Sequence, residues 1–272
     1  MQALEGIRKQ TKLSGLSRRP YRQERLDTIC RQLSENGYVS VTELSEEGGV
    51  SAATVRSDLE LLEQNGRLLR THGGAVPFHL GEGALSFAVR QRENIAAKER
   101  IGGMAAEYVS DGEAIVLDAS TTAWQMARHL IARRDLTVIT TGLYVALELL
   151  RAPGVSVIIP GGTVWREAAS VVGPITTNLL ESGNLQQGFF SGRGLSINEG
   201  LTDANPAEVE LKRQLIAAVR QVNVIVDASK LGRVAFASCA GISQIKRLFT
   251  DSSASSEMVS SLRERGIDVI LA

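Results

Sequence analysis

The stretch Ser51-Ala52-Ala53-Thr54-Val55-Arg56-Ser57-Asp58-Leu59 decides how the N-terminal part of the chain is read. Apolar residues at 52, 55, 59 and 62 recur at helical spacing, and Ser51 stands where its hydroxyl can cap the first turn. With that stripe turned inward, Ala53, Thr54, Arg56 and Ser57 point outward. Small side chains on this face let a helix sit deep in the DNA major groove. There Arg56 can reach a guanine edge or a phosphate, and Thr54 or Ser57 can bond phosphate oxygens or bases. Asn65-Gly66 supplies the helix stop.

On the N-terminal side, Gly48-Gly49 breaks a short helix over 42–47 that carries Leu44 inward, and Val50 plugs the turn. Residues 39–41 are expected to be extended. Leu26, Ile29, Cys30 and Leu33 form one face of an earlier helix that ends at Asn36-Gly37. On the C-terminal side, 67–70 and 75–76 read as two short strands around Thr71-His72-Gly73-Gly74. Three helices and a two-stranded wing over 21–76 predict a small winged helix-turn-helix domain. Arg22, Arg25, Arg70, His72 and Gly73 join Ser51, Ala53, Thr54, Arg56 and Ser57 as candidate contacts to double-stranded DNA. Residues 1–20 read as a flexible basic arm: positions 1–31 hold eight Lys or Arg against three acids.

Residues 77–94, with Pro77 and Gly81, read as a linker in which Phe87 and Arg90 hint at docking. From residue 95 the pattern changes. Apolar runs at 115–117, 136–139, 155–159 and 222–226 suit parallel strands buried on both faces. Helical segments over 97–109, 122–132, 143–151 and 207–220 lie between them, with further strands at 187–191, 246–249 and 267–271. The fold class is therefore an α/β domain with a mostly parallel sheet over 95–272, preceded by the small winged domain.

Composition excludes several classes. The 272 residues carry zero net charge, so DNA binding must come from local charge rather than a global field. Two cysteines and three histidines without metal-ligand spacing argue against a zinc site or a disulfide framework, and no metal or cofactor is expected. The start lacks the apolar core of a secretory signal, and no run is long enough to span a membrane. A cytoplasmic location is expected.

The N-terminal residues resemble the DeoR family of bacterial regulators. Arg22, Arg25 and Leu26 carry the resemblance, followed by the string Ser51, Thr54, Val55, Arg56, Asp58, Leu59 and then His72-Gly73-Gly74-Ala75. Cys30 stands where a larger aliphatic is usual, Gly48 replaces a usual leucine, and Ser57 replaces a usual basic residue. The resemblance continues through Phe87, Arg90, Lys98, Asp111-Gly112, Asp118 to Thr122, Pro160-Gly161-Gly162, Gly173-Pro174, Gly200-Leu201-Thr202, Asn205 and Asp227 to Lys230. It implies an effector domain like that of ribose-5-phosphate isomerase, and a repressor of carbohydrate catabolism operons relieved by a phosphorylated sugar.

The residues locate that effector independently. Asp118 ends a strand and Ser120-Thr121-Thr122 open a helix whose amides and hydroxyls suit a phosphate, with Asp118 placed to accept sugar hydroxyls. Gly161 and Gly162 end a neighbouring strand, where missing side chains would let a ligand approach. Lys230 follows another strand end, and Lys98 is added by similarity to the isomerases. Arg193 is a departure at a point where family regulators commonly have Asp, and is a candidate for an anionic group of the effector. Asp203 and Glu208 lie near enough in sequence to line the pocket. The alternative is a sugar-phosphate isomerase-like enzyme with a DNA-binding appendage. Ser191-Gly192-Arg193-Gly194 offers no carboxylate for proton abstraction, which argues against it. A weaker third reading is an activator with no ligand. One winged domain buries little DNA surface, so a homo-oligomer, dimer or tetramer, is expected.

Overall fold

The computed structural model describes residues 21–65, 67–71, 73–77, 87–166, 168–173, 180 and 183–272. The chain divides into two compact units, Met1–His79 and Leu80–Ala272. The basic arm, His72, Gly81 and most of the expected linker lie outside the described residues.

The first unit contains α1 (Arg22–Asn36), β1 (Val39–Ser40), α2 (Val41–Gly48), α3 (Ala52–Gln64), β2 (Leu68–Thr71) and β3 (Gly74–Pro77). Leu26, Ile29 and Leu33 of α1, Val41 and Leu44 of α2, and Val55, Leu59 and Leu62 of α3 meet in one core. The expected strand at 39–41 stops at Ser40, whose hydroxyl accepts from the Thr42 and Glu43 amides, so Val41 already begins α2. The break expected at Gly48-Gly49 falls on Gly49, which takes the left-handed conformation (φ 58°). The wing is three-stranded, in the order β1-β3-β2, because β3 pairs with β1 as well as β2.

The second unit opens with α4 (Phe87–Arg90) and α5 (Ile95–Ala106), followed by β4 (Ala114–Leu117), α6 (Thr121–His129), β5 (Leu136–Thr140), α7 (Leu143–Leu149) and β6 (Val155–Ile158). A hairpin of β7 (Thr163–Trp165) and β8 (Ser170–Val172) comes next, then β9 (Leu185–Phe190), β10 (Gly194–Ser196) and β11 (Gly200–Asp203). Last come α8 (Pro206–Ala218), β12 (Val219–Ile225), a 3-10 turn at Ala228–Lys230, β13 (Ala237–Ala240), β14 (Ile245–Thr250), α9 (Ser256–Glu264) and β15 (Asp268–Leu271). Seven strands form one parallel sheet in the order β15-β14-β12-β9-β4-β5-β6.

β4, β5 and β12 bury both faces, as their apolar runs require, and β9 does so by turning Phe189 and Phe190 to opposite faces. Val116, Phe190, Val224 and Leu248 pack toward α8 and α9, while Ile115, Leu117, Phe189, Ile225 and Phe249 pack toward α5, α6 and α7. Gly102 lets α5 lie against α6, since a Cβ there would come within 2.6 Å of the Met126 amide nitrogen. Three features lay outside the sequence expectation: α9, the β7–β8 hairpin, and an antiparallel sheet of β10-β11-β13. Phe87–Arg90, expected in a linker, is a helical turn of the second unit, with Phe87 buried and stacked on Tyr144.

Candidate functional site

From β4 the chain proceeds to β5 and β6 on one side of the sheet and later to β9, β12, β14 and β15 on the other. The direction of winding therefore changes between β4 and β9, and open α/β sheets bind ligands at the carboxyl ends of strands at such a point. A pocket lies there. Its floor comes from four strand ends: Asp118 to Thr122 after β4, Thr141 after β5, Ser191 to Arg193 after β9, and Asp227 and Lys230 after β12. Arg90, Glu93 and Lys98 form one wall, and Asp203, Glu208, Leu211 and Lys212 another.

Ser120 caps α6, its hydroxyl accepting from the Ala123 amide at 3.0 Å, and its carbonyl accepts from Trp124. The amides of Thr121 and Thr122 are the first two of the helix and have no intrahelical acceptor by geometry. Both residues are buried and both line the pocket. They sit at the positive end of the helix dipole. Lys98 is buried, and its ammonium donates to the Arg90 and Glu93 carbonyls. Burial pushes its pKa down to about 8, against the pull of Asp227. Lys230 stands half-buried at the end of its 3-10 turn.

Asp118 lines the pocket and is bonded to two of its loops. One carboxylate oxygen accepts from the Ser120 amide (3.0 Å); the other accepts from the Ser191 amide (2.7 Å) and lies 3.3 Å from the Lys212 ammonium. These bonds hold the β4 and β9 loops together, so Asp118 shapes the pocket that it also lines. Gly161 and Gly162 are not brought to the pocket among the described residues. Gly162 has φ 122°, and a Cβ there would lie 2.4 Å from the Val172 carbonyl oxygen. Its lack of a side chain serves the approach to the hairpin, not a ligand.

The sequence reading overlooked Lys212. Its ammonium donates to the Ser191 carbonyl (2.6 Å) and to Asp203 (2.9 Å). Burial opposes this charge, yet Asp203 and Asp118 outweigh it and raise the pKa well above the usual lysine value. Burial likewise works against an ionised Asp203, but Lys212 holds that carboxyl below its ordinary range. Glu208, accepting from the Ser170 hydroxyl at 2.8 Å, is pushed up by burial. Arg193 lines the pocket with its Nε 3.9 Å from Asp203. The absence of carboxylates at 191–194 thus does not describe the pocket as a whole, because Glu93, Asp118, Asp203, Glu208 and Asp227 line it from other segments. One signal did mark Lys212: on α8 it lies three residues after buried Val209 and four before buried Ile216, a lysine within the apolar stripe.

In the first unit, α2, the turn at Gly49 and α3 present a helix-turn-helix. Ser51 caps α3 by accepting from the Thr54 amide (3.2 Å), and the two hydroxyls lie 2.9 Å apart. Ala53, Arg56 and Ser57 are exposed and Thr54 is half-buried. Gly73 is exposed at the wing turn, its carbonyl accepting from the Val41 amide. Three of the candidate cations are engaged inside the unit. Arg22 Nε lies 3.0 Å and Arg25 Nε 2.8 Å from the two oxygens of Asp58, which is buried on α3. Arg70 holds Glu63 through its amide and guanidinium, and these keep the Glu63 carboxyl below its ordinary range. Arg22 and Arg25 fasten α1 to α3, and neither is a lone phosphate clamp.

Two family models match the chain: the DeoR-like helix-turn-helix domain over residues 25–79, and the DeoR C terminal sensor domain over 93–252. The chain is 37% identical over 249 residues to the HTH-type transcriptional regulator GolR of Listeria innocua, covering 92% of this chain and 98% of that one. It is 30% identical over 251 residues to the HTH-type transcriptional repressor GlcR of Bacillus subtilis, covering 92% and 96%. Ribose 5-phosphate isomerase A of Methanocaldococcus jannaschii superimposes with a TM-score of 0.39 at 16% identity, over 51% of this chain and 55% of that one. That last likeness is too slight to carry an argument.

Proposed function

The chain belongs to the DeoR family of DNA-binding transcriptional regulators, and from that premise we propose that it is a cytoplasmic repressor of carbohydrate catabolism genes, released from its operator by a phosphorylated sugar. The observation that carries the effector is the convergence of the two N-terminal amides of α6 with Lys98 and Lys230 on one pocket. A helix N-terminus and two ammonium groups suit a dianion, and the polar wall of Arg193, Asp203 and Lys212 suits hydroxyls. Catalysis is not proposed. Of the carboxylates that line the pocket, Asp203 is bound to Lys212, Glu208 to Ser170, Asp118 to the Ser120 and Ser191 amides, and Asp227 to Asn94, so these four already have partners. No helix among the described residues is long and apolar enough to cross a membrane.

Calorimetry against ribose 5-phosphate, glucose 6-phosphate, fructose 1-phosphate and fructose 6-phosphate, each beside its free sugar, tests the reading. At least one phosphate ester is expected to bind below millimolar concentration and its free sugar to be nearly inert. The double variant Thr121→Ala with Lys230→Ala should lose roughly 100-fold in effector affinity, since a charge-assisted bond contributes about 1.5–3 kcal/mol and a hydroxyl about 1. It should still hold operator DNA and ignore the inducer. Equal binding of free sugars to wild type and double variant would remove the phosphate from the reading.

The repressor is proposed to act as a homo-oligomer, because paired half-sites supply affinity that one winged domain lacks. Tyr144, Leu147 and Leu150 leave apolar surface exposed along α7. Light scattering at micromolar concentration should give at least twice the 29.2 kDa chain mass. A monomer, with and without DNA, would rule this out.

A further inference from the structure

An effector can release DNA only if its pocket is read elsewhere in the chain, and the segment that follows residues 78–86 is built into the pocket wall. Arg90 and Glu93 line the pocket, and the main-chain carbonyls of the same two residues accept from the buried Lys98 ammonium. Asn94 completes the stretch in a left-handed conformation (φ 50°), and its side-chain amide donates to pocket-lining Asp227 at 3.0 Å. At the other end Phe87 is buried, its ring 4.4 Å from that of Tyr144 and edge-on to Trp124. The Arg90 guanidinium lies 6.0 Å from the centre of the Phe87 ring. One residue therefore touches both the pocket and the anchor.

We propose, resting on the sugar-phosphate reading above, that residues 87–94 transmit pocket occupancy toward the DNA-binding unit, with Lys98 tying the segment to the pocket and Phe87 as its anchoring residue. An ammonium has three protons, and two of those on Lys98 hold carbonyls of the segment. An anion that engages the third, or competes for the others, changes how residues 90–93 are held. The same anion attracts the Arg90 guanidinium, which cannot turn into the pocket without altering its place over Phe87 and the seat of α4. Residues 78–86 continue from that helical turn to the wing, so the change is delivered to the chain that leads there. Coupling of this kind is reciprocal: the effector weakens operator binding by the same factor by which operator weakens effector binding.

The test measures that factor in full-length protein, using the phosphate ester from the panel above that binds wild type most tightly. Effector affinity is determined by calorimetry with and without operator DNA. Wild type is expected to show a difference of about tenfold or more. Phe87→Ala should bind effector within about threefold of wild type when DNA is absent, and bind operator normally, while the coupling factor falls to within about twofold of unity. Phe87→Leu, which keeps apolar volume but removes the ring stack, carries the same comparison if the alanine variant melts early. A Phe87→Tyr variant, which keeps the ring, should keep the wild-type coupling within about twofold, and the separation of coupling from the two unaltered affinities marks transmission apart from a general loss of packing. Coupling unchanged in folded Phe87→Ala or Phe87→Leu overturns the transmission role and leaves the pocket reading intact. Failure of every phosphate ester to bind wild type overturns the pocket reading and this proposal with it.

Discussion

Lys212→Met is expected to destabilise the α/β unit by about 3–5 kcal/mol, the usual consequence of removing one partner from a buried ion pair. The methionine fills the apolar stripe of α8, so the loss comes from charge, not from volume. Asp203 would be left buried with the Ala204 amide and the more distant Arg193 guanidinium, and the Ser191 carbonyl would lose its donor. Asp118 would keep its two amide partners, so Asp203 bears most of the change. The pH dependence has a definite sign. In the wild type, Lys212 lowers the Asp203 pKa on folding, so that contribution is present above the ordinary aspartate value and is lost as pH falls through the folded value. In the variant the largest influence lowering the Asp203 pKa is gone and burial is opposed only by the Ala204 amide and the Arg193 charge, so Asp203 takes up a proton more readily and acid costs the variant less than the wild type. The gap between the two proteins should therefore be widest near neutral pH and narrow toward pH ~4. Urea unfolding at a series of pH values measures it. A loss under about 1 kcal/mol at neutral pH, or a gap that widens on acidification, would show that Lys212 does not hold this cluster together.

Arg56→Ala is expected to abolish specific operator binding while leaving the melting temperature unchanged. Arg56 is exposed on α3 between Thr54 and Ser57, and no ion pair engages it among the described residues. A bidentate base contact contributes about 1–3 kcal/mol, and two copies in a dimer contribute about twice that, so affinity should fall roughly 30-fold or more. Arg25→Ala supplies the contrast. It should lower thermal stability first, because it deprives buried Asp58 of a partner at 2.8 Å. Gel-shift and melting measurements on the two variants separate a DNA contact from a structural arginine. If Arg56→Ala shifts operator as well as wild type does, the recognition surface lies elsewhere on the first unit.

Much of the architecture was legible in the sequence because it rests on short-range regularities. Four apolar residues at helical spacing after a capping serine define α3, and continuous apolar runs define strands covered on both faces. Ser120 to Thr122 and Lys230 could be placed at the pocket for the same reason, since strand ends and helix starts are local features, whereas Lys98 was placed there only by family resemblance. The short strands of the antiparallel β10-β11-β13 sheet were less legible, because runs of three or four residues carry little periodicity.

Sequence alone thus determined the two-part organisation, the helix-turn-helix, the parallel sheet and the part of the pocket built by the start of α6. Tertiary structure decided which charged residues are occupied. Asp58 reads as a polar residue on a helix, and its burial follows only from Arg22 and Arg25, 36 and 33 residues away, folding back onto it. Asp118 reads as a free acceptor until the Ser191 amide, 73 residues on, takes one of its oxygens. Gly162 reads as a place for a ligand until the β8 carbonyl is seen to fill it. In each case the deciding partner comes from another element, brought close by packing. A charged or polar group is committed by whichever partner it meets when water is removed, and residue spacing along the chain does not encode that meeting.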